Sequence, residues 1–332
     1  MDKVVIFAVA GSGKTTHIVK NLSSQKRSLI VTYTNGNYEN LSKKIVDHFG
    51  GRWPENVTLM TYFHFLYRFC YKPFLADIVR AKGITYSPPP AFKCKKTMKF
   101  FLSNGRFYSN RLAHFLEQRV MDDIRNRLKK FYDEFIIDEI QDIDGRDFNF
   151  LEKLMQTPMD MLFVGDFYQH TFSTSRDGNV NKDLFKSVCD YERRFICNKV
   201  KIDKTTLLKS WRCSPNICKF VSCNLRISIA SNKSGADGII QFISNDRERE
   251  DIINNPNIVK LYLQKSDTHK GWCKNWGDTK GEDCYQDVCV MLNKKTMKMY
   301  KEGKLPELAP GTRNKLYVAI TRAHRNVYLI EE

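Results

Sequence analysis

Residues 4–16 read VVIFAVAGSGKTT, and this stretch decides the fold class. Val4 to Val9 is a short apolar, β-rich run, the pattern of a buried strand. Glycines at 11 and 13 follow, and a helix is expected from about Thr15 to Leu22. A strand, a glycine loop and a helix N-terminus in that order make a phosphate cradle. Glycines let backbone N–H groups curl around an anion, and the helix end adds a favourable dipole. Lys14 would bring positive charge to the β- and γ-phosphates, and the Thr15 hydroxyl would ligate Mg²⁺. The pattern is Walker A, with Ala8 where a glycine usually stands. It predicts ATP and Mg²⁺ as cofactors, with Ala10, Gly11, Ser12, Gly13, Lys14, Thr15 and Thr16 around the nucleotide.

Outward from this loop, strands and helices alternate. Ser28 to Thr34, Val57 to Thr61, Phe135 to Asp138 and Met161 to Gly165 read as strands. Residues 62–130 are helical and basic in pattern. A second set of strands is expected over 205–209, 238–243, 259–264, 288–292 and 327–330, with helices over 215–223 and 314–323. Alternation with short connections predicts α/β architecture with parallel sheets. The charged stretch from Glu192 to Lys201 has few apolar residues and is read as the boundary. The expected domains are therefore 1–197, with a small helical insertion over about 66–132, and 198–332.

Phe135-Ile136-Ile137-Asp138-Glu139 is an apolar strand ending in two acids. Beside a phosphate loop, Asp138 is the expected Mg²⁺ ligand and Glu139 the group that orients or deprotonates an attacking water.

The chain has 332 residues, enough for two domains. Lys and Arg number 54 against 37 Asp and Glu, a net charge of +17 spread along the sequence. Basic clusters stand at Lys93, Lys95, Lys96 and Lys99; at Arg125, Arg127, Lys129 and Lys130; and at Lys294, Lys295, Lys298 and Lys301. A folded protein so charged points to a polyanion partner, most simply nucleic acid. The ten cysteines contain no Cys-x-x-Cys pair, so they read as free thiols rather than zinc ligands. No apolar run reaches about 18 residues, which argues against a transmembrane helix and sets the expectation of a cytoplasmic protein.

Further boxes make the pattern specific. Asp138-Glu139-Ile140-Gln141-Asp142 has the form DExQD. Thr32-Tyr33-Thr34-Asn35, the segment Thr61-Tyr62 to Phe65, and Gly165-Asp166-Phe167-Tyr168-Gln169 follow in order. Ser210 to Ser214 (SWRCS), Asn275 to Glu282 (NWGDTKGE) and Leu316 to Ala323 (LYVAITRA) complete the series. Together they resemble the boxes of UvrD/Rep-like superfamily 1 helicases, from Ala8 to Ala323. The resemblance implies two RecA-like lobes with ATP between them. It implies that Gln169 contacts the γ-phosphate, that Arg212 and Arg322 are arginine fingers, that Trp211 stacks adenine and that Glu282 meets the ribose. It also implies a single-strand path over Tyr33, Thr34, Asn35, Thr61 and Phe172.

The departures are equally definite. Thr174 stands where relatives carry a base-stacking tryptophan, and the stretch between Arg212 and Lys280 is too short for their large accessory domain. The leading expectation is an ATP-driven translocase or helicase on single-stranded nucleic acid, DNA first. The alternative is a nucleic-acid-stimulated ATPase serving as a regulatory subunit, for example beside a nuclease. A nucleotide-binding protein without turnover is the third, disfavoured by Glu139 and the two arginines.

Overall fold

The computed structural model describes residues 1–89, 100–102, 104–171, 177–235 and 238–332. The cluster Lys93, Lys95, Lys96 and Lys99 lies outside them, as do Phe172 and Thr174. By packing, the chain forms two units. The first comprises Met1–Ile6, Thr15–Gly165 and Ser173–Asp203; the second comprises Phe7–Lys14, Asp166–Phe172 and Lys204–Glu332.

The first unit is built on a six-stranded sheet. In chain order its elements are β1 (Lys3–Phe7), α1 (Lys14–Lys20), β2 (Ser28–Thr32), α2 (Asn35–His48) and β3 (Val57–Thr61). The inserted elements follow: α3 (Tyr62–His64), a π-helical stretch Phe65–Tyr71, α4 (Lys72–Val79), β4 (Ile84–Thr85), β5 (Phe107–Tyr108), α5 (Ser109–Arg119) and α6 (Met121–Phe131). The chain returns through β6 (Glu134–Asp138), α7 (Gly145–Met155), β7 (Asp160–Gly165), α8 (Val188–Cys197) and β8 (Lys201–Asp203). The strand order is β3-β2-β6-β7-β1-β8. Pairings β2–β3, β2–β6, β6–β7 and β1–β8 are parallel. All five residues of β2 are buried. Strands covered on both faces by helices read as continuous apolar runs, which is why these strands were visible in the sequence.

The second unit carries β9 (Lys209–Ser210), α9 (Pro215–Leu225), β10 (Ala230–Ser231), β11 (Ile240–Phe242), α10 (Asp246–Asn254), β12 (Val259–Tyr262) and β13 (Cys273–Asn275). It ends with β14 (Asp287–Leu292), α11 (Lys294–Lys301), α12 (Pro310–Ile320) and β15 (Asn326–Glu331). Its main sheet has the order β11-β15-β14-β12-β13, and every pairing in it is parallel. Val259, Leu261, Val288, Val290, Val327 and Leu329 form its core with Leu316, Tyr317 and Trp276. Val9 and Ala10, from the start of the glycine loop, belong to the same core. The architecture is α/β with two main parallel sheets, as the alternation of elements predicts.

Two local readings differ from the sequence expectation. The strand expected over 205–209 is only Lys209–Ser210. The charged stretch 192–201, read as the boundary, holds the end of α8, which runs through Cys197, and the start of β8 at Lys201, an element the sequence did not mark. Both signals are weak in sequence for physical reasons. An edge strand pairs on one side and needs few apolar residues, and β8 is exposed or half-buried throughout. Helix α8 buries a narrow stripe, Tyr191 and Phe195, which meet Phe148.

Candidate functional site

The glycine loop is built by backbone conformation. Gly11 and Gly13 have φ of +69° and +85°, a region that other residues enter at a cost. Gly11 is also required by space. A Cβ there would lie 2.6 Å from the Arg212 Cβ and 2.7 Å from the Ser210 Oγ. The Trp211 amide donates to the Gly11 carbonyl at 2.8 Å. Within the second unit, then, the loop and the SWRCS box are in direct contact. Lys14 and Thr15 open α1, and the Thr16 hydroxyl accepts from Lys44 at 3.1 Å. Ser12 is buried, and its hydroxyl has no hydrogen-bond partner among the described residues. An orphaned buried hydroxyl in a loop of left-handed glycines fits a phosphate ligand, which would supply the missing acceptor.

The acid pair ends β6. Asp138 is buried and its carboxylate accepts from the Glu139 amide at 3.0 Å. Glu139 has φ of +56°, a strained value for a residue with a side chain. Its carboxylate accepts from the Gln141 side-chain amide. A Cβ on Gly165 would fall 2.3 Å from the Gln141 Oε1 and 2.6 Å from the Ile140 Cγ2. The glycine of the GDFYQ box thus leaves room for the residues that hold Glu139. No group of three or more His, Cys, Asp or Glu among the described residues is arranged to hold a metal ion. A Mg²⁺ carried by phosphates needs only one or two protein ligands, so Thr15 and Asp138 fit that role.

In the second unit, Arg322 is 1% exposed and makes no ion pair among the described residues. Its guanidinium donates to three backbone carbonyls: Val318 at 3.3 Å, Thr279 at 3.3 Å and Glu282 at 3.1 Å. Burial, with help from neighbouring Arg212, pushes its pKa down to about 10. Arg212 pairs with Asp283 and donates to the Thr321 carbonyl at 3.3 Å. Burial would raise the Asp283 carboxyl, but Arg212 and His324 outweigh it and hold it below the usual carboxylate range. Trp211 is 66% exposed, its indole face open. Glu282 is already engaged, by Lys274 at 2.5 Å and by the Tyr285 hydroxyl.

Gln169 is buried and donates to Asp166 at 3.0 Å. Asp166 also accepts from the Tyr317 hydroxyl at 2.9 Å, and that hydroxyl accepts from the Ala10 amide at 2.8 Å. Sequence reading missed Asp166 and Tyr317 as individuals, although both sit inside boxes it had named.

Of the single-strand candidates, Tyr33, Thr34, Asn35 and Thr61 belong to the first unit. Thr32 and Thr61 are register partners, so Tyr33 and Tyr62 leave adjacent strand ends. Their rings stack at 5.6 Å, and Tyr33 meets Phe63 edge-on at 5.7 Å. Phe63 in turn meets Tyr86 at 5.3 Å, and Tyr86 is 72% exposed. Thr34 and Thr61 cap α2 and α3, accepting from Asn37 at 3.2 Å and His64 at 3.4 Å. Asn35 is exposed on the first turn of α2. Phe63 and Tyr86 were not foreseen. Phe63 lies inside the segment from Thr61 to Phe65, where sequence assigns it no separate role, and nothing local marks Tyr86.

Comparison with known proteins bears on this arrangement. The family "AAA domain" matches residues 1–174, and the family "viral superfamily 1 RNA helicase core domain" matches residues 109–331. A search of curated proteins finds no match. Among solved structures, the chain resembles arterivirus nonstructural protein 10, a helicase solved in complex with DNA. The TM-score is 0.51 at 13% identity, covering 99% of this chain and 60% of that one. At that identity the likeness concerns the fold, and this chain spans about 60% of the neighbour's length. No helix among the described residues is long and apolar enough to cross a membrane.

Proposed function

This chain belongs to the viral superfamily 1 RNA helicase core family, and we propose that it is an ATP-hydrolysing motor that moves along single-stranded nucleic acid. One observation carries the ATPase reading. The glycine loop packs on the Arg212 segment, and among the described residues the hydrogen-bond partners of the buried Arg322 guanidinium are backbone carbonyls. A buried cation without a carboxylate is costly unless an anion joins it. The developing charge of a transferred phosphoryl group is such an anion.

In this reading Ser12, Gly13 and Lys14 hold the phosphates, and Thr15 and Asp138 hold Mg²⁺, which shields phosphate charge when bound. Glu139 accepts the proton of the attacking water, and Gln169 senses the γ-phosphate. Arg212 must exchange Asp283 for phosphate, and Trp211 offers its exposed face to the base. Glu282 reaches the ribose only by leaving Lys274 and Tyr285. The lobes proposed are 1–197 and 198–332. The finer UvrD/Rep-like assignment rests on the boxes. They favour DNA as the track, whereas the family description favours RNA.

The single strand would lie over Tyr33, Phe63 and Tyr86 by stacking, with Asn35 and surface lysines on the phosphates. A second reading, a regulatory ATPase that works beside a partner such as a nuclease, is favoured by economy of chain. The described residues between Arg212 and Lys280 are largely spent on α9, α10 and strands of the unit.

The test is an ATPase assay with and without single-stranded and duplex DNA and RNA, joined to strand displacement on a tailed duplex. We expect stimulation by one single strand, steep loss of affinity with salt, and poor unwinding by the protein alone. Hydrolysis that no nucleic acid stimulates would refute the motor. Efficient unwinding by an isolated monomer would refute the regulatory reading.

A further inference from the structure

Among the described residues the hydroxyl of Tyr317 bonds Ala10, at the start of the glycine loop, and Asp166, which holds Gln169 of the nucleotide site proposed above. It accepts from the Ala10 amide at 2.8 Å and donates to the Asp166 carboxylate at 2.9 Å. That same carboxylate oxygen accepts the Gln169 side-chain amide at 3.0 Å, and the other accepts the Tyr168 amide at 3.1 Å. Ala10, Tyr317, Asp166 and Gln169 are each at most 3% exposed. Burial first, and Asp166 second, push the Tyr317 phenol well above its ordinary pKa, so it remains a donor.

Tyr317 lies on α12, and the end of that helix serves the arginines. The Val318 carbonyl takes the Arg322 guanidinium at 3.3 Å, and the Thr321 carbonyl takes that of Arg212 at 3.3 Å. Asn314, one turn earlier, donates to the His170 carbonyl at 2.9 Å. One helix therefore touches the glycine loop, the GDFYQ box and both arginines. The Tyr317 hydroxyl bonds both the loop and the carboxylate that holds Gln169.

We propose that Tyr317 is a positioning residue of the nucleotide site: its hydroxyl fixes the Ala10 amide and, through Asp166, the side-chain amide of Gln169. The inference rests on the ATPase reading. In a buried network each unmade hydrogen bond is expensive, so the loop, Gln169 and α12 hold a single arrangement. A change sensed at Gln169 would then reach the arginines through α12 rather than through the loop alone.

Tyr317→Phe keeps the ring and removes the hydroxyl. In nucleotide-free protein, hydrogen exchange of the Ala10 amide should quicken by about tenfold or more, while β12 and β14 keep their protection. With ATP, kcat should fall about tenfold with KM changed less than about threefold. Tyr317→Phe added to Gln169→Ala should cost little beyond Gln169→Ala alone, because the two act in series. Asp166→Ala removes the oxygen shared by the hydroxyl and the Gln169 side-chain amide but leaves the Tyr317 hydroxyl to accept from the Ala10 amide. It should lower kcat with Ala10 exchange as in wild type.

Unchanged Ala10 exchange in Tyr317→Phe, or full additivity with Gln169→Ala, overturns the proposal. A wild-type protein without hydrolysis would instead overturn the ATPase reading, and this inference with it.

Discussion

The buried cluster of the second unit and the aromatic patch of the first are both candidate binding surfaces, and they are built oppositely. Around Ala10, Asp166, Gln169, Tyr317 and Arg322, polar groups are withdrawn from water and held by hydrogen bonds under 3.4 Å. Around Tyr33, Phe63 and Tyr86, rings touch rings and the outermost is open to solvent. Phosphoryl transfer needs charge placed before the reaction, which only a buried, satisfied network maintains. Gripping a strand of any sequence needs π surface and tolerance of small shifts, which exposed aromatics supply. Substitutions in the first region should therefore change rates by orders of magnitude, and those in the second should change affinity by small factors.

The largest expected effect is Lys14→Ala. Steady-state hydrolysis should fall by about three orders of magnitude, the scale of losing a transition-state cation in P-loop enzymes. Near-normal turnover would remove the basis for calling the first region a nucleotide site. Glu139→Gln should slow hydrolysis by about 10²-fold or somewhat more while ATP binding persists, because an amide cannot take the water's proton. Single-turnover kinetics separates these terms, and equal losses in binding and rate would show that Glu139 only holds structure.

Arg322→Ala sharpens the same contrast. We expect kcat to fall at least about 10²-fold with a smaller change in nucleotide affinity, since the charge it meets grows toward the transition state. The opposite split, affinity lost and rate kept, would make Arg322 a ground-state ligand.

Gly11→Ala tests packing alone. The new Cβ would meet Arg212 and Ser210 in a left-handed backbone. Stability in urea should drop by about 2 kcal/mol, the scale of overpacking plus backbone strain. An unchanged midpoint would mean that loop and arginine segment are not held together in solution.

The smallest effect belongs to the second region. Tyr86→Ala should weaken single-strand binding by about five- to tenfold, near the lower end of base–aromatic stacking. The salt dependence should stay unchanged, because no phosphate contact is removed. A tenfold or greater loss in ATPase rate without nucleic acid would break the division between the two regions.

Much of this molecule was determined by its sequence alone. Strands β1, β2, β3, β6, β7, β12, β14 and β15 are apolar runs because both faces of a parallel sheet are covered. The glycine loop and the acids after β6 were legible because their chemistry is local. A left-handed turn requires glycine, and a strand end presents adjacent side chains. Other features were decided only by tertiary structure. Residues 201–203 became an edge strand because β1 offered a free side, something no run of three residues encodes. Gly11 must lack a side chain because Arg212 lies against it, although some two hundred residues separate them. Tyr86 joined the aromatic patch because the helical insertion turns back toward Phe63. Tyr317 stands at a helical position that spacing alone assigns to the core, and it is in the core. Its hydroxyl became functional through partners more than 150 and 300 residues away, at Asp166 and Ala10. Periodicity records which face of an element is buried; it carries no record of which polar atom that burial brings into hydrogen-bonding distance.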